Sequence, residues 1–208
     1  MLDILEKLIN FIEEQYTYTN SLWIHSDKYV PINLKKKQIN HIYDEENNNI
    51  MNTILEYQSF MNEKILVISL ELHRIEWEKC KINSRVKANN SIEDKIDRYC
   101  KKKEHGKVPI NSCFNDLLGF RIILYEKIDY DVIQKFIKSH FPKLKCINSS
   151  KDEYKAIHVY FYIDNFSFPW ELQIWNIEDE QTNLESHKKY KQDYTNWENE
   201  NRGGDSVG

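Results

Sequence analysis

The chain changes hydrophobic rhythm near residue 80. Before it, apolar residues recur at spacings of three and four; after it, they come in short runs that alternate with polar residues. Leu2, Leu5, Leu8, Ile9 and Ile12 predict a helix over residues 1–18. From Tyr16 to Glu46 the pattern is mixed and loop-like, with Pro31, a Lys35-Lys36-Lys37 run and an acidic Asp44-Glu45-Glu46. Met51, Ile54, Leu55, Met61, Ile65, Ile68, Leu72 and Ile75 then mark a long helix from about Asn48 to Lys79, whose stripe is core packing.

Beyond Ile82, strands are expected at Ser84–Ala88, Phe120–Tyr125, Leu144–Ile147, Ala156–Ile163 and Trp170–Trp175. Ser91 reads as the N-cap of a helix from Ile92 to about Lys102, with Glu93 and Asp94 in its first turn. Further helices are expected at Tyr130–Ser139 and from about Asp179 to Asn196, and a disordered tail at Arg202–Gly208. Strands interleaved with helices after residue 80 imply an α+β or α/β domain behind a helical N-terminal part. The expected division is a helical region packed on the core over 1–80, a catalytic core over 81–198 and a tail over 199–208.

Composition narrows the class. Residues 1–80 carry 8 Lys/Arg against 13 Asp/Glu, residues 81–107 carry 9 against 4, and residues 108–208 carry 12 against 16. A locally basic segment in an acidic chain suits one polyphosphate site better than a coat over a long polymer. No run approaches a membrane span, and the N-terminus lacks the layout of a signal peptide. Cys80, Cys100, Cys113 and Cys146 stand singly, as expected of reduced thiols in a cytoplasmic protein.

Two carboxylates stand out. Asp116 and Glu171 each sit at or just inside an apolar run, where a bare charge is costly and a divalent cation is a ready partner. With Arg121 close to Asp116 in sequence, they suggest a metal–nucleotide site. Arg85 and Lys87 point to one side of their strand, and Ser91 and Lys95 lie one helical turn apart, so these four could line a triphosphate pocket. There is no GxGxxG and no Walker-type loop, so phosphates would be held by side chains. Taken singly, each of these residues also has an ordinary reading. The basic strand and helix could be solvated surface, His158 a hydrogen-bonded strand residue, Tyr154 a loop aromatic and His187 a surface side chain.

Together the pieces carry more. Arg85-x-Lys87-x-x-x-Ser91-x-x-x-Lys95, Asp116-x-x-Gly119-x-Arg121, Tyr154-Lys155-Ala156-Ile157-His158, Glu171-Leu172-Gln173-Ile174 and Glu185-Ser186-His187-Lys188-Lys189-Tyr190-Lys191 follow the order and spacing of RelA/SpoT-type synthetases. Over roughly residues 80–195 the chain resembles a single-domain small alarmone synthetase. The resemblance implies an α+β fold with a mixed five-stranded sheet, flanking helices and a helical N-terminal extension. It implies transfer of pyrophosphate from ATP to a ribose 3′-hydroxyl with release of AMP. It further implies that Arg85, Lys87, Ser91, Lys95 and Arg121 bind ATP, that Asp116 and Glu171 hold Mg2+, and that Asp116, Glu171 and Arg121 are catalytic. Tyr154, His158, Gln173, Glu185 and His187 would form the acceptor site. Glu171 would also help to deprotonate the attacking hydroxyl.

One departure bears on the acceptor. Where enzymes of this type that make guanosine tetraphosphate usually continue Glu-x-Gln-Ile with Arg-Thr, this chain has Trp175-Asn176. The loss removes a cation that would serve a free nucleotide polyphosphate, and Trp175 is expected to offer a stacking surface. The variant resembles the toxic members of bacterial toxin–antitoxin pairs, which modify the CCA end of tRNA. That resemblance implies tRNA as acceptor and an antitoxin protein as partner, the other reading being synthesis of free guanosine or adenosine alarmones. Lys35, Lys36, Lys37, Lys188, Lys189 and Lys191 are candidate tRNA contacts, or solvated surface.

Overall fold

The structure, a computed structural model, describes residues 1–44, 49–75, 77–101, 104–186 and 188. The alternating runs become β1 (Cys80–Val86), β2 (Leu118–Leu124), β3 (Lys145–Asn148), β4 (Ile157–Phe161) and β5 (Trp170–Asn176). They form one sheet in the order β1-β2-β5-β4-β3, in which only the central β2–β5 pair is parallel. The helices are α1 (Leu2–Ile24), α2 (Asn49–His73), α3 (Asn89–Lys101), α4 (Ile110–Cys113) and α5 (Tyr130–His140), with a sixth, α6, over 180–186. This is the expected α+β class with a mixed five-stranded sheet. Among the described residues no helix is long and apolar enough to cross a membrane.

The strand period of two sorts the sheet into unlike faces. Phe120, Ile122, Leu124, Ile157, Val159, Leu172 and Ile174 are buried on one face, where they meet Ile133 and Ile137 of α5 and the N-terminal helices in one core. Tyr16 of α1 packs edge-on against Trp170 at 5.1 Å, and Tyr57 of α2 stacks on Phe168 at 4.7 Å. The Trp170 indole N–H donates to the Tyr57 hydroxyl at 2.8 Å inside this core. The other face is polar, and the register aligns it in rows. One row is Arg85, Gly119, Glu171 and Tyr160; the next is Asn83, Arg121, Gln173 and His158.

Several boundaries differ from expectation. α1 runs to Ile24 because Tyr16, Thr19, Asn20 and Trp23 prolong its buried face. α2 stops at His73, and Trp77 folds back to donate its indole N–H to the Leu72 carbonyl at 2.8 Å. β1 starts four residues early, at Cys80. It is an edge strand with Lys81, Asn83 and Arg85 exposed, so its apolar signal is weak. α3 begins at Asn89, which puts Ser91 inside the first turn instead of at the cap, and leaves Glu93 and Asp94 beyond that turn. The four-residue α4 was not expected at all. Half of the expected final helix and the whole tail lie outside the described residues.

The Tyr57–Trp170 bond gives a direct test of how the N-terminal helices hold the sheet. Tyr57→Phe leaves a buried indole N–H without its acceptor and is expected to cost about 1–3 kcal/mol. Urea unfolding should show a lower midpoint at unchanged slope.

Candidate active site

Asp116 stands two residues before β2 and Lys87 one residue after β1, so both lie at the same end of the sheet. The Lys87 N–H donates to the Leu117 carbonyl at 2.8 Å, which extends the β1–β2 pairing and brings the two side chains together. Asp116 accepts from Lys87 Nζ at 2.7 Å and from Lys95 Nζ at 3.0 Å, one ammonium on each carboxylate oxygen. All three side chains are between 11% and 16% exposed, so the knot is shielded from water but reachable from one side.

Burial opposes the charge on Asp116, but the two ammoniums outweigh it and hold the carboxyl at about 2. The lysines respond differently although they share one carboxylate. Burial lowers the proton affinity of both. For Lys95 the attraction of Asp116 wins and the value is raised; for Lys87 it remains lowered, because Lys95 and Arg85 crowd it.

A second network runs across β2, β5 and β4. Gln173 Oε1 accepts from Arg121 Nε at 3.0 Å and Nη2 at 2.8 Å, and Gln173 Nε2 donates to Glu171 Oε2 at 2.8 Å. One amide thus positions both the guanidinium and the carboxylate. Glu171 Oε1 lies 3.0 Å from His158 Nδ1, and His158 Nε2 lies 2.9 Å from the Tyr154 hydroxyl. In the neutral ring the carboxylate, an acceptor, assigns the proton to Nδ1, and Nε2 then accepts from Tyr154. Burial opposes ionisation of Glu171, but the hydrogen bonds from His158 and Gln173 keep its carboxyl below the ordinary value. Burial and the neighbouring Arg85 lower the proton affinity of Arg121.

Asp116 precedes β2 by two residues and Glu171 is the second residue of β5, so the parallel pairing of Leu118 with Trp170 puts both carboxylates at one end of the sheet, where the charge of Asp116 works against ionisation of Glu171. Both offer hard oxygen donors in the ionised form, the type magnesium takes; in this arrangement Lys87 and Lys95 occupy the oxygens of Asp116, and His158 and Gln173 those of Glu171, so a dication would replace some of these partners. Among the described residues no three His, Cys, Asp or Glu side chains gather around one point. Such an ion would therefore take its other ligands from phosphate and water. Between Arg85 and Glu171 the row is floored by Gly119, where an added Cβ would meet nothing within 4 Å. A groove is open there.

Other expected residues fall differently. Arg85 is exposed on β1 at the rim, and Ser91 is partly buried on the first turn of α3, one turn from Lys95. Trp175 does not offer a stacking surface. It is 0% exposed, and the Arg121 guanidinium already covers its ring at 3.6 Å. Tyr154 packs edge-on against both His158 and Trp175, each with ring centroids at 6.1 Å. Glu185 is exposed on α6, where it accepts from Gln181 at 3.0 Å. Lys188 is exposed, as are Lys35 and Lys36, while Lys37 is partly buried. His187, Lys189 and Lys191 lie outside the described residues.

Sequence reasoning overlooked two residues. Tyr160 shares a face with His158, its hydroxyl 3.3 Å from His158 Nδ1, and pairs in register with Glu171; the i, i+2 spacing was the available signal. Asn183 is fully buried on α6 and exchanges two hydrogen bonds with the Lys155 backbone, at 2.9 and 2.8 Å, which fixes the segment carrying Tyr154. Nothing in the polar pattern of that helix marked it.

Residues 84–195 match the family model described as a region found in RelA/SpoT proteins. The chain belongs to the RelA/SpoT family. It is accordingly a RelA/SpoT-type nucleotide pyrophosphotransferase. Among solved structures, this RelA/SpoT chain is similar to the small alarmone synthetase 1 of Bacillus subtilis, at 17% identity and a TM-score of 0.40, over 73% of this chain and 82% of the other. For the same enzyme bound to its product pppGpp the values are 15%, 0.38, 72% and 83%. For a GTP pyrophosphokinase family protein of Streptococcus pneumoniae they are 16%, 0.40, 71% and 78%. No curated protein matches the chain. The family membership rests on the match over 84–195 alone.

The Asp116 knot makes stability depend on acid in a defined window. A carboxyl held at about 2 instead of 3.8 contributes stability above about pH 4, and loses it as pH falls through about 2. The contribution is about 2 kcal/mol. Asp116→Asn should therefore flatten the fall in unfolding free energy between about pH 4 and pH 2, measured by urea titration at each pH.

Proposed function

We propose that this RelA/SpoT-type enzyme transfers the β,γ-pyrophosphate of ATP to the 3′-hydroxyl of the terminal adenosine of tRNA. The supporting observation is the uneven charge of the polar face. The candidate phosphate ligands Arg85, Lys87, Lys95 and Arg121 come from β1, β2, α3 and the residue after β1. The side formed by β4 and the end of β5 presents Tyr154, His158 and Tyr160, with Trp175 beneath them. A triphosphate belongs with the cations. The aromatic side carries fewer cations, Lys145 over the Tyr160 ring at 5.9 Å and Arg121 over Trp175 at 3.6 Å, and suits a nucleoside that arrives without a 5′-polyphosphate, as the end of a tRNA does.

In this reading Arg85, Lys87, Lys95 and Arg121 grip the ATP phosphates, with Ser91 on the first turn of α3 beside them. Asp116 and Glu171 hold the magnesium, which supplies charge neutralisation on the phosphate oxygens. The attacking 3′-oxygen forms a bond to the β-phosphorus, the bond from that phosphorus to the α,β-bridging oxygen breaks, and AMP leaves. The hydroxyl proton passes to Glu171, with His158 hydrogen-bonded behind it. Gln173 is a positioning residue that keeps Arg121 and Glu171 in register. Tyr154 and His158 flank the acceptor base, and Glu185 and His187 are the remaining candidates for the acceptor site. Lys35, Lys36, Lys37, Lys188, Lys189 and Lys191 are the candidate contacts to the tRNA. An enzyme that caps the CCA end blocks aminoacylation, so it acts as a toxin on translation and needs a cognate antitoxin protein.

Incubation with ATP labelled in the γ-phosphate, offered deacylated tRNA, GDP or GTP, or AMP or ADP, tests the acceptor. Label should appear in tRNA and vanish when the terminal adenosine is removed. Label in a free nucleotide alone would replace this reading with alarmone synthesis. Glu171→Gln should lower transfer by 10²-fold or more, a rough scale for removing a group that acts in the transition state. Lys188→Glu combined with Lys189→Glu should abolish transfer to tRNA while ATP binding, followed by equilibrium dialysis, persists.

A further inference from the structure

The connection between β4 and β5 carries an unusual set of exposed apolar side chains. Tyr162 and Ile163 are each 50% exposed and Phe166 is 41% exposed, all within five residues. The loop is nevertheless well fixed. The Asp164 carboxylate accepts from the Phe166 N–H at 2.8 Å and from Ser167 Oγ at 2.9 Å, and the Tyr16 hydroxyl donates to the Phe168 carbonyl at 3.2 Å. A second segment is bonded to it, since the Leu34 N–H donates to the Asn165 carbonyl at 2.8 Å. Lys35 and Lys36 follow directly and are exposed. That turn is also tied to α4, which leads into Asp116, through bonds from Asn111 N–H to the Leu34 carbonyl at 3.1 Å and from Ile110 N–H to the Lys37 carbonyl at 2.9 Å.

We propose that the turn carrying Lys35 and Lys36 and the loop carrying Tyr162, Ile163 and Phe166 form one landing surface for the single-stranded 3′ end of the acceptor RNA. Three arguments select this occupant. Ammonium groups beside exposed aromatic rings are what unpaired nucleotides need, the cations for the backbone and the rings for stacked bases. The surface lies at the right end of the sheet. Tyr162 directly follows β4 and is two residues beyond Tyr160, which pairs in register with Glu171, so the loop begins beside the row that holds that carboxylate. Finally, in a chain of net charge −4 the adjacent exposed Lys35 and Lys36 make this turn locally cationic, so any attraction of a polyanion is confined to it.

The inference rests on the tRNA reading, and one set of measurements separates the two. The probes are a fluorescent single-stranded RNA ending in CCA, followed by anisotropy, and deacylated tRNA in the labelled-ATP assay. The full chain is compared with Tyr162→Ala/Phe166→Ala and with Lys35→Ala/Lys36→Ala. Each pair should weaken RNA binding about tenfold or more, with ATP affinity unchanged. The lysine pair should also reduce the salt slope of binding by about one to two. Tyr162→Phe, which keeps the ring with minimal disturbance to the fold, should bind as the parent does. If the parent modifies tRNA and both pairs bind RNA undiminished, the landing surface is overturned while the function stands, and the loop is left for a protein partner. If the parent neither binds the RNA nor modifies tRNA, both fall.

Discussion

A carboxylate shared by two buried ammoniums holds this structure and its chemistry together. Asp116 joins the residue after β1, the middle of α3 and the approach to β2, three segments that Val86, Ile92, Ile96 and Leu117 already bring together in the core. Buried ion pairs often do little for net stability, because desolvation consumes most of the attraction. Their value is specificity of arrangement. Two cations against one anion also leave an excess positive charge in a shielded place, and Arg85 and Arg121 add to it. A site with that imbalance favours an anion of high charge, which is what the phosphates of ATP supply.

The sheet does the rest by geometry. Its period of two turns the same strands into a hydrophobic support on one side and a row of working side chains on the other. Central placement matters here. β2 and β5 lie in the middle, each paired along both edges, so Arg121, Gln173 and Glu171 stand on strands fixed from two sides. Their hydrogen bonds form a continuous run from Arg121 through Gln173 and Glu171 to His158 and Tyr154. Gly119 leaves open space between its register partners Arg85 and Glu171. Trp175 completes the arrangement from below, its ring pressed flat against the Arg121 guanidinium.

Much of this was legible before any coordinates. The strongly amphipathic helices and the alternating runs gave correct element types, since hydrophobic period is a local property. Boundaries failed where tertiary packing, not local preference, set them: at β1, an edge strand with half its residues in water, and at α1, whose later turns are held by Trp23. α4 was missed because four residues contain too little pattern. Trp175 was misjudged because exposure depends on the neighbours above a residue, and these come from β2 and the segment before β4, about fifty and twenty residues away in sequence.

The order of motifs, the local charge contrast and the alternation of apolar residues are properties of the chain, and they were enough to name the class of fold and the class of reaction. Who pairs with whom was decided only by folding. Lys87 and Lys95 read as phosphate ligands, yet their resting partner is Asp116, and Gln173 became the link between a cation and a carboxylate because strand register set it between them. Pairing of that kind depends on distances across the sheet, and sequence separation carries no measure of those.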